Sequence, residues 1–206
     1  MATTISGTSG VTFPAGGVGN PAGAVVGTTD TQTLTNKTLG SGLVAGASYL
    51  TSGTTVASTS GTAIDFTGIP SWVKRIVIMY SGVSTSGTAN WQVQLGTGAG
   101  PTYTTSGYAS TMIVTTVSSA ATSNASTGFV NTSPAAGSQV CSGQLTLLNM
   151  TGNLWVSQGA LGASAATRSY INSGSLSLGA VLTAVRITTV GGTDTFNAGS
   201  INILYE

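Results

Sequence analysis

Residues 72–83 read WVKRIVIMYSGV and residues 90–96 read NWQVQLG. In the first, Ile76, Ile78 and Tyr80 alternate with Val77 and Met79. A period of two is that of an extended strand, whose successive side chains point to opposite faces. Apolar residues in both phases predict burial on both faces. In the second, Trp91, Val93 and Leu95 alternate with Gln92 and Gln94, which predicts a strand buried on one face only. Outward from these, TMIVTTV (111–117), QVCSGQLTLLNM (139–150), LWVSQGAL (154–161), TRSYINSG (167–174), AVRITTV (184–190) and SINILYE (200–206) continue the series, with Gly, Asn, Ser and Thr between them. No stretch carries a helical period over three turns. About eight strands, spaced by roughly 10 to 20 residues, predict an all-β fold: an antiparallel β-sandwich, most simply jelly-roll-like. Ile201 and Ile203 are expected in its core. Residues 81–90 and 190–196 read as turns, where Gly87 and the Gly191–Gly192 pair permit backbone angles that other residues resist. Residues 96–108, GTGAGPTYTTSGY, read as a long mobile loop.

The sequence changes character near Tyr49. Before it stand Gly, Thr and Ala, with Pro14 and Pro21 ruling out a continuous helix. No apolar run there is long enough to build a core. Ile5, Val11, Phe13, Val25, Val26, Leu34, Leu39, Leu43 and Val44 nevertheless recur every few residues. Residues 1–49 are expected to form either a flexible linker, as their Gly, Ser and Thr content favours, or an extended anchor and short shaft in which several chains bury these side chains mutually; residues 50–206 are expected to form a sandwich domain at its tip. At ~3.3 Å per residue the shaft would reach no more than roughly 160 Å.

Charged residues make up 4% of the chain, against about a quarter in an ordinary soluble domain. Ser and Thr supply roughly a third of the residues, so the surface holds water through hydroxyl and amide hydrogen bonds rather than through ions. Five basic and four acidic residues give a net charge of +1. That is too little to release the counterions on which nucleic-acid binding depends, and no nucleic-acid partner is expected. The chain has no His, which removes the commonest general base and metal ligand. Asp30, Asp65, Asp194 and Glu206 are scattered, which disfavours a glycosidase pair or a calcium loop. No enzymatic activity, metal or cofactor is expected. Cys141, the single cysteine, falls within an apolar alternation and reads as a small buried hydrophobe. The first residues lack the basic start and apolar core of a signal peptide, and no segment approaches the ~20 apolar residues of a membrane span, so neither secretion nor membrane insertion is expected.

Residues 61–100 together with 183–206, TAVRITTVGGTDTFNAGSINILYE, resemble the C-terminal domain of many tailed-bacteriophage fibre proteins. TDTQTLTNKTLGSG (29–42) is similar to a segment that joins phage fibre shafts to their tips. The resemblance covers roughly residues 30–206. It implies a virion protein assembled in the host cytoplasm as a homotrimer. The N-terminus would be held by other virion proteins of tail, baseplate or capsid, and the tip would attach without catalysis to a bacterial surface polysaccharide or outer-membrane receptor. The alternative it leaves is a purely structural virion component, such as a head fibre or a baseplate or neck accessory. Sugar sites pair an aromatic face with amide and hydroxyl groups. Tyr103 and Tyr108, beside the long loop, and Asn124 and Asn131 are the candidate receptor-binding residues, with Gln158 as a further amide. Trp91 and Trp155 read as core, and Trp72 as a residue packing at a strand entrance.

Overall fold

The computed structural model describes residues 4–6, 10–12, 50–163 and 167–206. The chain divides into two compact units, Met1–Ala47 and Ser48–Glu206. In the first, β1 (Thr4–Ser6) pairs antiparallel with β2 (Gly10–Thr12), Ile5 opposite Val11. The shaft expected over the rest of residues 1–49 lies outside the described residues.

In the second unit the strands are β3 (Thr51–Ser52), β4 (Val56–Ala57), β5 (Ala63–Thr67), β6 (Arg75–Thr85), β7 (Trp91–Thr97), β8 (Thr102–Tyr103) and β9 (Ala109–Thr115). They continue as β10 (Ala120–Ala125), β11 (Phe129–Thr132), β12 (Cys141–Thr151), β13 (Leu154–Ala163), β14 (Arg168–Ser177), β15 (Leu182–Thr189) and β16 (Phe196–Tyr205). The described residues contain no helix. All strands pair antiparallel in two sheets, giving a β-sandwich. The larger sheet runs β10-β9-β14-β13-β12-β6-β16, with β3 and β4 both on the far side of β16. The smaller runs β11-β7-β15-β5, with β8 added to β7 beside β11. Early and late strands nest, β6 with β16 in one sheet and β7 with β15 in the other, as in a jelly roll. The larger sheet then extends as the meander β12–β13–β14 and the hairpin β9–β10.

Between the sheets lie Ile64, Ile76, Ile78, Trp91, Val93, Leu95, Leu145, Leu147, Tyr170, Val185 and Ile187. Ile201, Ile203, Trp155 and Cys141 join them as the sequence leads one to expect. An aromatic chain crosses the core: Tyr80 stacks on Trp91 at 6.5 Å between ring centres, and Trp91 tilts against Phe196 at 6.3 Å. The Trp91 indole donates to Thr85 Oγ1 at 3.0 Å, which meets its need for a partner away from water. Trp72 is half exposed and leans on Tyr205 at 6.0 Å.

β6 and β7 exchange the roles that their alternation predicts. In β6, Ile76, Ile78 and Tyr80 are buried while Val77 and Met79 are only partly so. In β7 every residue from Trp91 to Gly96 is buried, both glutamines included. Alternation alone cannot report what covers a strand's outer face; here residues 126–128 and Tyr103 cover β7, while nothing among the described residues covers the middle of β6.

Midway, β6 and β16 bulge against each other. Gly82 (φ 64°) and Gly199 (φ 87°) both adopt left-handed backbone, and a β-carbon on Gly199 would strike the Gly82 carbonyl. The registers shift at these glycines. Beyond the bulge Val83, Ser84 and Thr85 are all buried, so the bulge turns the strand end into the core.

Candidate functional site

The four sequence-predicted residues separate. Tyr108 is core, 4% exposed, its ring edge-on to Phe129 at 4.9 Å. Its hydroxyl accepts from the Leu95 amide at 2.8 Å and donates to the Thr104 carbonyl at 3.1 Å. It therefore pins segment 104–108 down onto β7, and the backbone joins that segment to the next through Tyr108 N to Ser126 O at 3.2 Å. The expectation that Tyr108 stands clear of the core is corrected: its phenol is the peg on which the loop hangs. Residues 96–108 are likewise more built than the long loop expected, since β8 pairs with β7, Tyr103 opposite Gly96.

Asn131 is also corrected. It lies in β11, fully buried, and its amide donates to the Tyr80 hydroxyl at 2.8 Å. That bond satisfies one end of the buried amide, while Asn131 Oδ1 has no hydrogen-bond partner among the described residues. Asn124 is exposed on β10, the edge of the larger sheet, and its side chain makes no hydrogen bond among the described residues. Gln158 is exposed on β13.

Tyr108 and Asn124 nevertheless border one groove of about 600 Å³ at the β14–β9–β10 edge. Tyr108, Ser110, Thr111, Asn124, Ser126 and Ser173 line it. Ser110 Oγ accepts from the Val130 amide at 3.0 Å, tying β9 to the opposite sheet. Gly174 leaves room for Phe129, whose ring would lie 2.9 Å from any β-carbon there. The groove holds hydroxyls and an amide and no charged side chain.

Tyr103 belongs to a second place, the outer face of the smaller sheet. Arg186 of β15 stands in register with Asp65 of β5 on one side and Gln94 of β7 on the other. Its guanidinium grips Asp65 with two bonds, Nε to Oδ1 at 2.8 Å and Nη2 to Oδ2 at 2.7 Å, and lies 3.9 Å over the Tyr103 ring. Burial, with the Asp65 charge close by, pushes the Tyr103 hydroxyl up to about 12. Gln92, Gln94, Thr105, Thr127, Arg186 and Thr188 line a groove of about 380 Å³ beside this cluster. The larger sheet presents a third surface. Along its outside run Thr122, Ile113, Ile171, Ala160, Gln144, Met79 and Asn202 in one cross-strand row. Ile113 is 41% and Ile171 58% exposed, and Leu148 and Met150 are exposed farther along β12.

The described carboxylates have structural partners. Asp65 holds Arg186, Glu206 pairs with Arg75, and Asp194 accepts from the Ala89 amide at 2.9 Å. No group of three or more His, Cys, Asp or Glu occurs among the described residues. No protein-family model matches the chain, and neither does any curated protein or solved structure.

Burial also raises Tyr108 to about 12, and raises Tyr80 further. In the unfolded chain these phenols ionise near 10, so unfolding releases protons above that pH. Their contribution to stability is complete below pH ~10 and is lost as pH rises from there through about 12. Thermal melts are expected to give a flat midpoint from pH 7 to 9 and a steep fall between 10 and 12; a midpoint unchanged to pH 12 would show these phenols free in the folded state.

Proposed function

We propose that this chain is a fibre protein of a tailed-bacteriophage particle, a homotrimer whose β-sandwich adheres without catalysis to a bacterial surface polysaccharide. The virion role rests on the resemblance of residues 29–42, 61–100 and 183–206 to phage fibre segments. The adhesive role rests on one observation above all: the groove lined by Thr111, Asn124, Ser126 and Ser173. Its hydroxyls both give and accept hydrogen bonds, as sugar hydroxyls do, and Asn124 adds two donors and an acceptor with no hydrogen-bond partner among the described residues. A rigid scaffold under an edge concavity is a usual setting for recognition. Trimer formation is supported by Ile113 and Ile171, exposed on the outer face of the larger sheet in a cross-strand row without a charged side chain, one row along from Thr111 and Ser173.

Asn124→Ala is expected to weaken binding of the full-length protein to extracted surface polysaccharide roughly three- to tenfold, the loss of about one net hydrogen bond, with the melting midpoint unchanged. Wild-type affinity in that variant would remove the groove from the binding surface.

A further inference from the structure

The smaller sheet carries a polar constellation that the Asn124 groove does not use. Gln92 and Gln94 point outward from β7 and yet are 3% and 7% exposed. Thr127 holds both, its hydroxyl donating to Gln92 Oε1 at 2.8 Å and its carbonyl accepting from Gln94 Nε2 at 2.9 Å. One end of each amide is thereby used, while Gln92 Nε2 and Gln94 Oε1 make no hydrogen bond among the described residues. Arg186 is in the same condition: Nε and Nη2 are spent on Asp65, and Nη1 makes no hydrogen bond among the described residues. All three residues border the same groove.

These groups are held in place before any ligand arrives. Asp65 and the Tyr103 ring fix the guanidinium, and Tyr103 can lie where it does because residue 96 is glycine; a β-carbon there would come within 3.0 Å of Cδ1 and Cε1 of the ring. Gly128 does the same for Gln92, whose Oε1 would lie 2.8 Å from its β-carbon. Ordering these side chains therefore costs little on binding. The groove is electrically neutral, because Asp65 cancels Arg186 and no other charged side chain lines it. Fixed donors at Nη1 and Gln92 Nε2 with an acceptor at Gln94 Oε1 suit the adjacent hydroxyls of an uncharged sugar ring, each of which gives and accepts. A carboxylated sugar would have to compete with Asp65 for the fork.

This groove and the Asn124 groove flank one rib. Thr105 and Thr127 line the former, Tyr108 and Ser126 the latter, and the Tyr108 to Ser126 backbone bond ties the rib together. We propose that the Gln92–Gln94–Arg186 groove is a second saccharide subsite, specific for a neutral pyranose, and that one linear glycan crosses the rib to occupy both grooves. The inference rests on the glycan-binding part of the proposed function and not on the virion role.

The test is titration calorimetry of the full-length protein with neutral hexasaccharides and trisaccharides of glucose, galactose and mannose. At least one hexasaccharide is expected to bind. Arg186→Lys, which keeps the charge and loses the fork, and Gly96→Ala, which displaces Tyr103, are each expected to weaken it about tenfold. Asn124→Ala is expected to weaken it as well, and the matching trisaccharide to bind at least tenfold more weakly. Wild-type affinity in a stably folded Arg186→Lys protein would overturn the subsite even if Asn124→Ala were impaired. A trisaccharide binding as tightly as the hexasaccharide would overturn the shared track. Failure of every neutral hexasaccharide would overturn the inference too, while adhesion to cells would decide the virion reading separately.

Discussion

Gly199→Ala is expected to lower the unfolding midpoint by roughly 10 °C or to leave the protein insoluble. Two costs act together. The left-handed backbone at φ 87° resists a side chain, and the new β-carbon would enter the Gly82 carbonyl of the neighbouring strand, where only backbone movement can relieve it. Overpacking that forces backbone shifts costs about 1–3 kcal/mol. Backbone strain adds ~1 kcal/mol or more. For a domain of this size each kcal/mol moves the midpoint by about 2–4 °C. Gly162→Ala is the control: the residue is exposed on β13, and nothing lies within 4 Å of its β-carbon. It is expected to melt with the wild type. Equal midpoints for all three proteins would show that the paired bulge does not constrain β6 and β16.

The double substitution Ile113→Lys, Ile171→Lys is expected to convert a trimer to monomers while preserving strand content. These residues face each other across β9 and β14 and are the most exposed large apolar pair on the sheet face. Like charges directly opposite one another repel, and in a dry interface six unpaired ammonium groups would have to be buried, which is far more costly than losing apolar contact. In a monomer they would simply be solvated. Light scattering at matched concentration distinguishes the states. A stable trimer from the lysine variant would place the interface elsewhere.

Much of the sandwich was legible because alternation survives wherever one face is core. Ile76, Ile78 and Tyr80, Trp91, Val93 and Leu95, and Ile201 and Ile203 all announce their faces by period two, and all are buried. What lay hidden was coverage of the other face. Gln92 and Gln94 read as solvent-facing, and only the distant segment 126–128 makes them interior. Tyr108 misled for a related reason. Flanked by Gly and Thr it reads as a loop tyrosine, whereas its partners, Leu95 and Phe129, come from β7 and β11. Asn131 depends on Tyr80, 51 residues away. The Asp65–Arg186–Tyr103 cluster needs three strands from separate parts of the chain in adjacent register, for which no local signal exists. Asn124 alone of the four candidates stands exposed in a groove, because an edge strand leaves it there.

Adhesion is measured most directly by binding of the full-length protein, sized by light scattering in the same preparation, to intact bacteria and to their extracted surface polysaccharide. The expected result is saturable binding by a trimer that competes with adsorption of the phage carrying it, and that is weakened by Asn124→Ala. A well-folded trimer that binds neither cells nor polysaccharide would contradict the claim and leave the protein a structural part of the particle.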